Sequence, residues 1–195
     1  MSHGGHGLVE GDNKKIAILI SVLALLLAIS ETLGKSAQTD ALKYNVEASN
    51  LWAFFQAKTI RKTTMETASE QMEIDVQLAK DPVVKDILEK RVNAWKVRAA
   101  TYESEPKPNG LGEGRRELMA RAKAMEARSE LALSRYHNFE YGSAAFQIAI
   151  VLASSYIITG VAYRLWGAGG LGVLGIFFVG IGMVAPNALH LLGAH

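Results

Sequence analysis

Long stretches without charge alternate with long charged ones along this chain. Residues 16–30, IAILISVLALLLAIS, carry no Lys, Arg, Asp or Glu, and Thr32 and Leu33 extend the run. Residues 143–166 and 170–192 are two further apolar runs, each long enough to cross a bilayer, which takes about 20 residues at 1.5 Å rise per residue. The first run is short by that measure and follows Lys14 and Lys15, so a signal peptide is the competing reading. Lys35-Ser36-Ala37 lacks the small-x-small pattern of a cleavage site, which predicts an uncleaved span. Residues 167–169 alone separate the last two runs, which predicts a tight helical hairpin with Tyr163, Arg164 and Trp166 at its turn, as befits headgroup anchors.

Between the first and second runs the period changes. Residues 36–80 contain neither Pro nor Gly. Apolar positions step by three and four through Ala41, Tyr44, Ala48, Leu51 and Phe55, and resume at Met65, Ala68 and Met72. This predicts a helix with a coiled-coil-like stripe continuing from the first span. The polar stretch from Lys58 to Thr64 interrupts the stripe and is a candidate bend. Asp81-Pro82 pairs a favoured N-cap with a favoured first helical residue. A second helix follows, with Leu88, Val92, Trp95, Ala99 and Tyr102 on one stripe. PKPNGLGEG, 106–114, breaks it. A third helix carries Leu118, Ala122, Met125, Ser129, Ala132 and Phe139 and runs into the second span.

The expected fold is an all-α membrane protein. Three transmembrane helices enclose a long antiparallel, coiled-coil-like helical hairpin inserted between the first and second. A helix over 36–80 rises about 67 Å at 1.5 Å per residue, and the return limb has similar length. The expected divisions are a mobile tail over 1–13, a span over 14–34, the hairpin over 35–142, and spans over 143–166 and 170–192. A bend near Lys58–Thr64 would instead give a shorter up-down bundle.

Charge sharpens this picture. Residues 35–142 hold 18 of the 21 Lys and Arg and 16 of the 19 Asp and Glu, and Arg164 is the one such residue in 142–195. So mixed a balance reads as solvated helix faces and argues against nucleic acid as a partner. There is no cysteine, which removes disulfides, thiol catalysis and Cys-ligated metals. Lys14, Lys15 and Arg164 put the N-terminus in the cytoplasm and the insert in the periplasm by short-loop counting. Lys35, Lys43, Lys123, Arg128 and Arg135 flank the spans on the other side and oppose that orientation.

Several stretches in order, WAFFQAKTIRK at 52–62, ATYESEPKP, EGRRELMARAKAMEAR and RYHNFEYGSAAFQIAIVLASSYIITG, resemble the bacterial membrane-protein family catalogued as domain of unknown function 4337. The similarity runs over nearly the whole chain after Lys14. It implies three spans with a helical insert in a bacterial inner membrane, and no activity, cofactor or catalytic residue.

Few residues offer chemistry. Topology brings Glu31, His137, Glu140 and His190 toward one membrane face, where a proton-linked or metal-binding cluster competes with plain interfacial polarity. A di-iron site needs two Glu-x-x-His motifs, and the insert has a single histidine, placed before Glu140. His3 and His6 sit in the expected mobile tail. Trp52, Phe54 and Phe55 beside Lys58 and Arg61 form a docking patch or simply bundle core. Ala145, Ala149 and Ala153 recur every four residues and mark a helix-packing face, as do Ala17 with Ser21, Ala24 with Ala28, and the glycines of the last span. One three-helix bundle leaves some of these faces over, which predicts self-association. The expected role is a homo-oligomeric scaffold or accessory subunit, with no cofactor and no enzymatic activity. Its partners would be the lipid bilayer, further copies and a larger membrane complex. The alternative is an oligomeric channel or transporter.

Overall fold

A computed structural model describes residues 6–108 and 111–188, with side chains from Asn13 onward. Four helices follow in order: α1 His6–Leu78, α2 Pro82–Glu103, α3 Arg115–Thr159 and α4 Tyr163–Val184. Stretches of α1, α3 and α4 are long and apolar enough to cross a membrane. The chain divides into two compact units. One comprises Met1–Leu42 with Ser129–His195, and the other Lys43–Arg128.

The apolar unit packs the first part of α1 against the second part of α3 and α4. Ile16, Ala153 and Ala168 form one buried layer, and Leu23, Phe146 and Ala149 the next. The small residues set the interhelical distance. A Cβ added at Gly175 would stand 2.6 Å from the Phe146 ring, and one at Gly142 would stand 3.2 Å from the Gly175 carbonyl oxygen. Lipid offers no hydrophobic drive for helix association, so close backbone approach and van der Waals contact must supply it. At one end of these layers buried Ser30 donates to the Phe139 carbonyl, 2.8 Å, and buried Asn138 donates to the Pro186 carbonyl, 2.9 Å. Such ties satisfy polar groups where water is excluded.

Two expectations are corrected. The tail begins no later than His6 to be helical, because α1 extends N-terminally from the span; residues 1–5 lie outside the described residues. The last turn lies at 160–162, not at 167–169. Gly160 has φ of 66° and its N–H bonds the Tyr156 carbonyl, which ends α3 at Thr159. Left-handed glycine just past a helix end is a standard stop. Tyr163, Arg164 and Trp166 therefore open α4. Arg164 reaches back to the Ser155 and Thr159 hydroxyls, a cation at the negative end of α3. The compact charged unit, Lys43–Arg128, falls inside the 35–142 expected for the insert. Ala37, Ala41 and Ala132 are buried within the apolar unit, where the Ser129 hydroxyl bonds the Ala41 carbonyl at 2.9 Å.

In the charged unit α1 continues unbroken through Lys58–Thr64. Leu51, Leu118 and Ala122 form its buried core, with Trp52, Phe55 and Met125 packed around them. Partners on α1 fall in number as those on α2 and α3 rise: Glu73 meets Lys96, Lys62 meets Glu103, Thr59 meets Arg115 and Trp52 meets Glu126. Both α2 and this part of α3 thus run antiparallel to α1. Asp81 caps α2, its carboxylate accepting from the Val83 N–H at 2.8 Å.

Candidate functional site

The residues expected to converge are partly gathered. Glu31 on α1 and Glu140 on α3 line one groove of about 510 Å³ in the apolar unit, together with Lys35, Tyr136 and Gln147. The Gln147 side-chain amide donates to Glu31 at 3.3 Å. Glu140 accepts from the Tyr136 hydroxyl at 3.2 Å, and its second oxygen stands 3.6 Å from His137 Nδ1. That spacing is the ordinary neighbour relation of a helix, three or four residues apart. The Glu140 charge raises the Tyr136 pKa by favouring the neutral phenol. His137 does not line the groove, and His190 lies outside the described residues. Among the described residues no group of three or more His, Asp or Glu is placed to hold a metal. The groove is therefore a polar notch with two carboxylates and one lysine, suited to hydrogen-bonding partners.

The aromatic patch separates into two roles. Trp52 donates its indole N–H to Glu126 at 2.7 Å and meets Phe55 edge-on, with centroids 5.3 Å apart. Phe55 lies under the Arg115 guanidinium, 4.9 Å away, and Lys58 lies over Tyr102. These three residues hold the helices together. Phe54 and Arg61 face a groove of about 410 Å³ that Lys58 also lines, with Ala57 and Glu113, and Phe54 is 61% exposed.

Sequence reasoning missed the junction of α2 and α3. Glu103, the last residue of α2, accepts from Arg115 at 2.8 Å and Arg116 at 3.2 Å, and pairs with Lys62 of α1 at 3.0 Å. The Lys62 hydrogen bond, and then the Arg116 one, hold the Glu103 carboxyl below its ordinary pKa, and Glu103 raises Lys62 in return. Glu117 closes the loop. It accepts from the Ser104 hydroxyl at 2.6 Å and the Glu105 N–H at 3.3 Å, and the Ser104 bond lowers its pKa. Gly114 has to be glycine here, since a Cβ would stand 2.5 Å from the Glu105 nitrogen. The result is an elbow in which one carboxylate gathers three cations from two helices. Every participant already has a protein partner, so the elbow is built to fix two helix ends onto α1.

The packing face is also placed. Ala145, Ala149 and Ala153 are buried, the last two fully, against α1 and α4 of the same chain. Gly172, Gly175 and Gly182 are buried likewise. The three-helix layer thus consumes the Ala145–Ala153 face and these three glycines. Ala17, Ser21, Ala24 and Ala28 on α1 and Gly180 on α4 remain exposed.

These features define an all-helical chain with three helices apolar enough for membrane spans and a charged helical unit between the first two. The chain belongs to the family described as Domain of unknown function (DUF4337), whose model matches residues 12–185. No curated protein and no solved structure matches it.

Proposed function

We propose that this protein is an integral membrane scaffold or accessory subunit that acts as a homo-oligomer. Its charged unit forms an antiparallel helical hairpin inserted between two spans and mediates assembly. The observation that carries the reading is how the polar chemistry of this unit is spent. The conspicuous charges at Lys62, Glu103 and Arg115 and the aromatics at Trp52 and Phe55 are engaged in helix-to-helix contacts. A catalytic constellation needs a nucleophile or acid–base pair facing a substrate pocket, and these groups face one another. The reading favours a bacterial inner membrane, with the insert on the periplasmic side from the short-loop charges.

The channel or transporter reading has less support. Ionisable residues inside spans usually mark transport pathways. Here Leu23, Phe146 and Ala149 fill the space between the three apolar helices, so a pore would have to lie between copies. Counting copies per particle after polymer extraction from native membranes tests the proposal. Two or more copies per particle is the expected result, and single copies would sink it.

A further inference from the structure

The first helix carries two stripes, and its own chain uses one of them. In the charged unit the inner stripe through Leu51 and Phe55 packs on α3. On the opposite side of the same helix Val46, Ala53, Ile60, Thr67 and Ile74 recur every seven residues. Asn50, Ala57, Thr64, Gln71 and Leu78 fall between them, four residues after each. Every one of these positions is exposed, Val46 at 52%, Ile60 at 67%, Ile74 at 58% and Leu78 at 71%. None is charged, although Glu47, Lys58, Arg61, Lys62, Glu66 and Glu70 lie among them along the chain.

A strict seven-residue repeat is not what a solvated face requires. It keeps one line of a helix facing a second helix over many turns. The apolar unit shows the same thing independently: its α1 residues Ala17, Ser21, Ala24 and Ala28 are exposed and small, the composition that permits close helix approach in lipid. In the sequence the two ladders join through Thr32, Lys35, Thr39 and Leu42 by the same steps of four and three. Two doubled steps of four, at Ala24–Ala28–Thr32 and at Leu42–Val46–Asn50, interrupt it.

We propose that this outer stripe of α1 is the interface between copies of this chain, paired in parallel and in register as a coiled coil. The inference rests on the homo-oligomer reading above and assigns its surface. The period specifies a helical partner, and every copy carries the matching stripe. Insertion in one bilayer with one orientation makes the α1 helices of neighbours parallel. A symmetric pairing then sets each seam residue against its counterpart. Five repeats with their flanking positions provide about 20 residues a side, the lower end of what a stable interface uses. Asn50 is the kind of polar seam residue that fixes register. Flanking charge is sparse, with Glu47, Arg61 and Asp75 on one side and Glu70 on the other, so the stripe itself selects the partner.

The absence of cysteine makes the test direct. Full-length Ala53→Cys and Ile60→Cys in native membranes, under mild oxidant, should each give disulfide-linked dimers. Val97→Cys on α2, equally exposed at 68%, should remain monomeric on a non-reducing gel. Ile60→Glu should fold normally, its side chain being solvated within the protomer, and should lower the dimer fraction roughly tenfold by setting like charges face to face. Particles with several copies but no link at either seam cysteine would overturn the interface and leave the oligomer reading standing. Single-copy particles would overturn both. A seam cysteine linked only to a different protein, or a dimer indifferent to Ile60→Glu, would also overturn the interface.

Discussion

The two units solve helix packing with opposite materials. In the apolar unit the contacts are made by the smallest residues, Gly142, Gly175, Ala149 and Ala153, and the bulk of Leu23 and Phe146 fills what they leave. In the charged unit the contacts are made by the longest side chains, with Lys62, Glu103, Arg115 and Arg116 reaching between helices. The contrast is the one expected if lipid surrounds the first unit and water the second. Where water surrounds the helices, an apolar stripe drives docking and charged rims align it. Where lipid surrounds them, apolar burial gives no gain, and only closeness does. The first unit should therefore be intolerant of added volume and indifferent to salt, and the second the reverse.

Gly175→Leu should break the apolar unit most severely. Its Cβ alone overlaps the Phe146 ring, and neither α3 nor α4 can retreat without uncovering the other layers. Overpacking of this sort costs about 1–3 kcal/mol and occasionally more. Thermal unfolding in mild detergent should fall by many degrees, or the protein should fail to accumulate. Ala149→Leu should be next, with a smaller loss by the same measurement, because Ala149 is fully buried beside Leu23 but borders longer, more adaptable side chains. Unchanged stability in both variants would mean that these faces look outward to lipid.

How legible this was depended on range. The stripes at Ala41–Phe55, Leu88–Tyr102 and Leu118–Phe139 were readable because helical period is local, and their residues are buried or half-buried. Asp81-Pro82 was readable because a cap and its helix are neighbours in sequence. The end of α3 was not, because Gly160 is a single residue inside a run that stays apolar to Trp166, and hydropathy marks no break there. The burial of Ala149 and Gly175 against their own chain was equally hidden, since small residues announce closeness but not the partner. The elbow needed Lys62, Glu103 and Arg115 to meet from three helices, which no spacing reveals. Of the candidate cluster, Glu31 and Glu140 line one groove, but His137 follows its helix neighbour instead of the groove.

Glu103→Ala should strike the charged unit alone. It strands Lys62, Arg115 and Arg116 near one another, at a cost of about 1 kcal/mol given their partial exposure. Hydrogen exchange should quicken at the end of α2 and the start of α3, while the apolar unit keeps its protection. Acid should mimic the variant. Glu103 and Glu117 have lowered pKa values in the folded chain. Their stabilisation is complete above the ordinary glutamate pKa of about 4.3, and is lost as pH falls through the lower folded values. The raised Lys62 acts at the other end: its contribution is full below the ordinary lysine pKa and is lost as pH rises through the higher folded one. Salt near 1 M, where the screening length is about 3 Å, should shrink the Glu103→Ala effect and leave that of Gly175→Leu intact.

The smallest effect should come from Asp81→Ala. Asp81 is exposed, and its side chain accepts the Val83 N–H at the start of α2. Losing an N-cap costs about 1 kcal/mol, less where the helix is held elsewhere. Here Pro82 already presets the first helical turn, and Lys96 with Glu73 ties α2 to α1 farther along. The loss should therefore stay local, visible as faster exchange over the first turn of α2 with no shift at the elbow. Asp81→Asn should restore most of the protection, because an amide oxygen caps as well as a carboxylate, and that rescue would separate capping from charge. Spread of the change to Glu103 and Arg115 would show that the charged unit behaves as one cooperative block, as the apolar unit is expected to, and would weaken the contrast between the two.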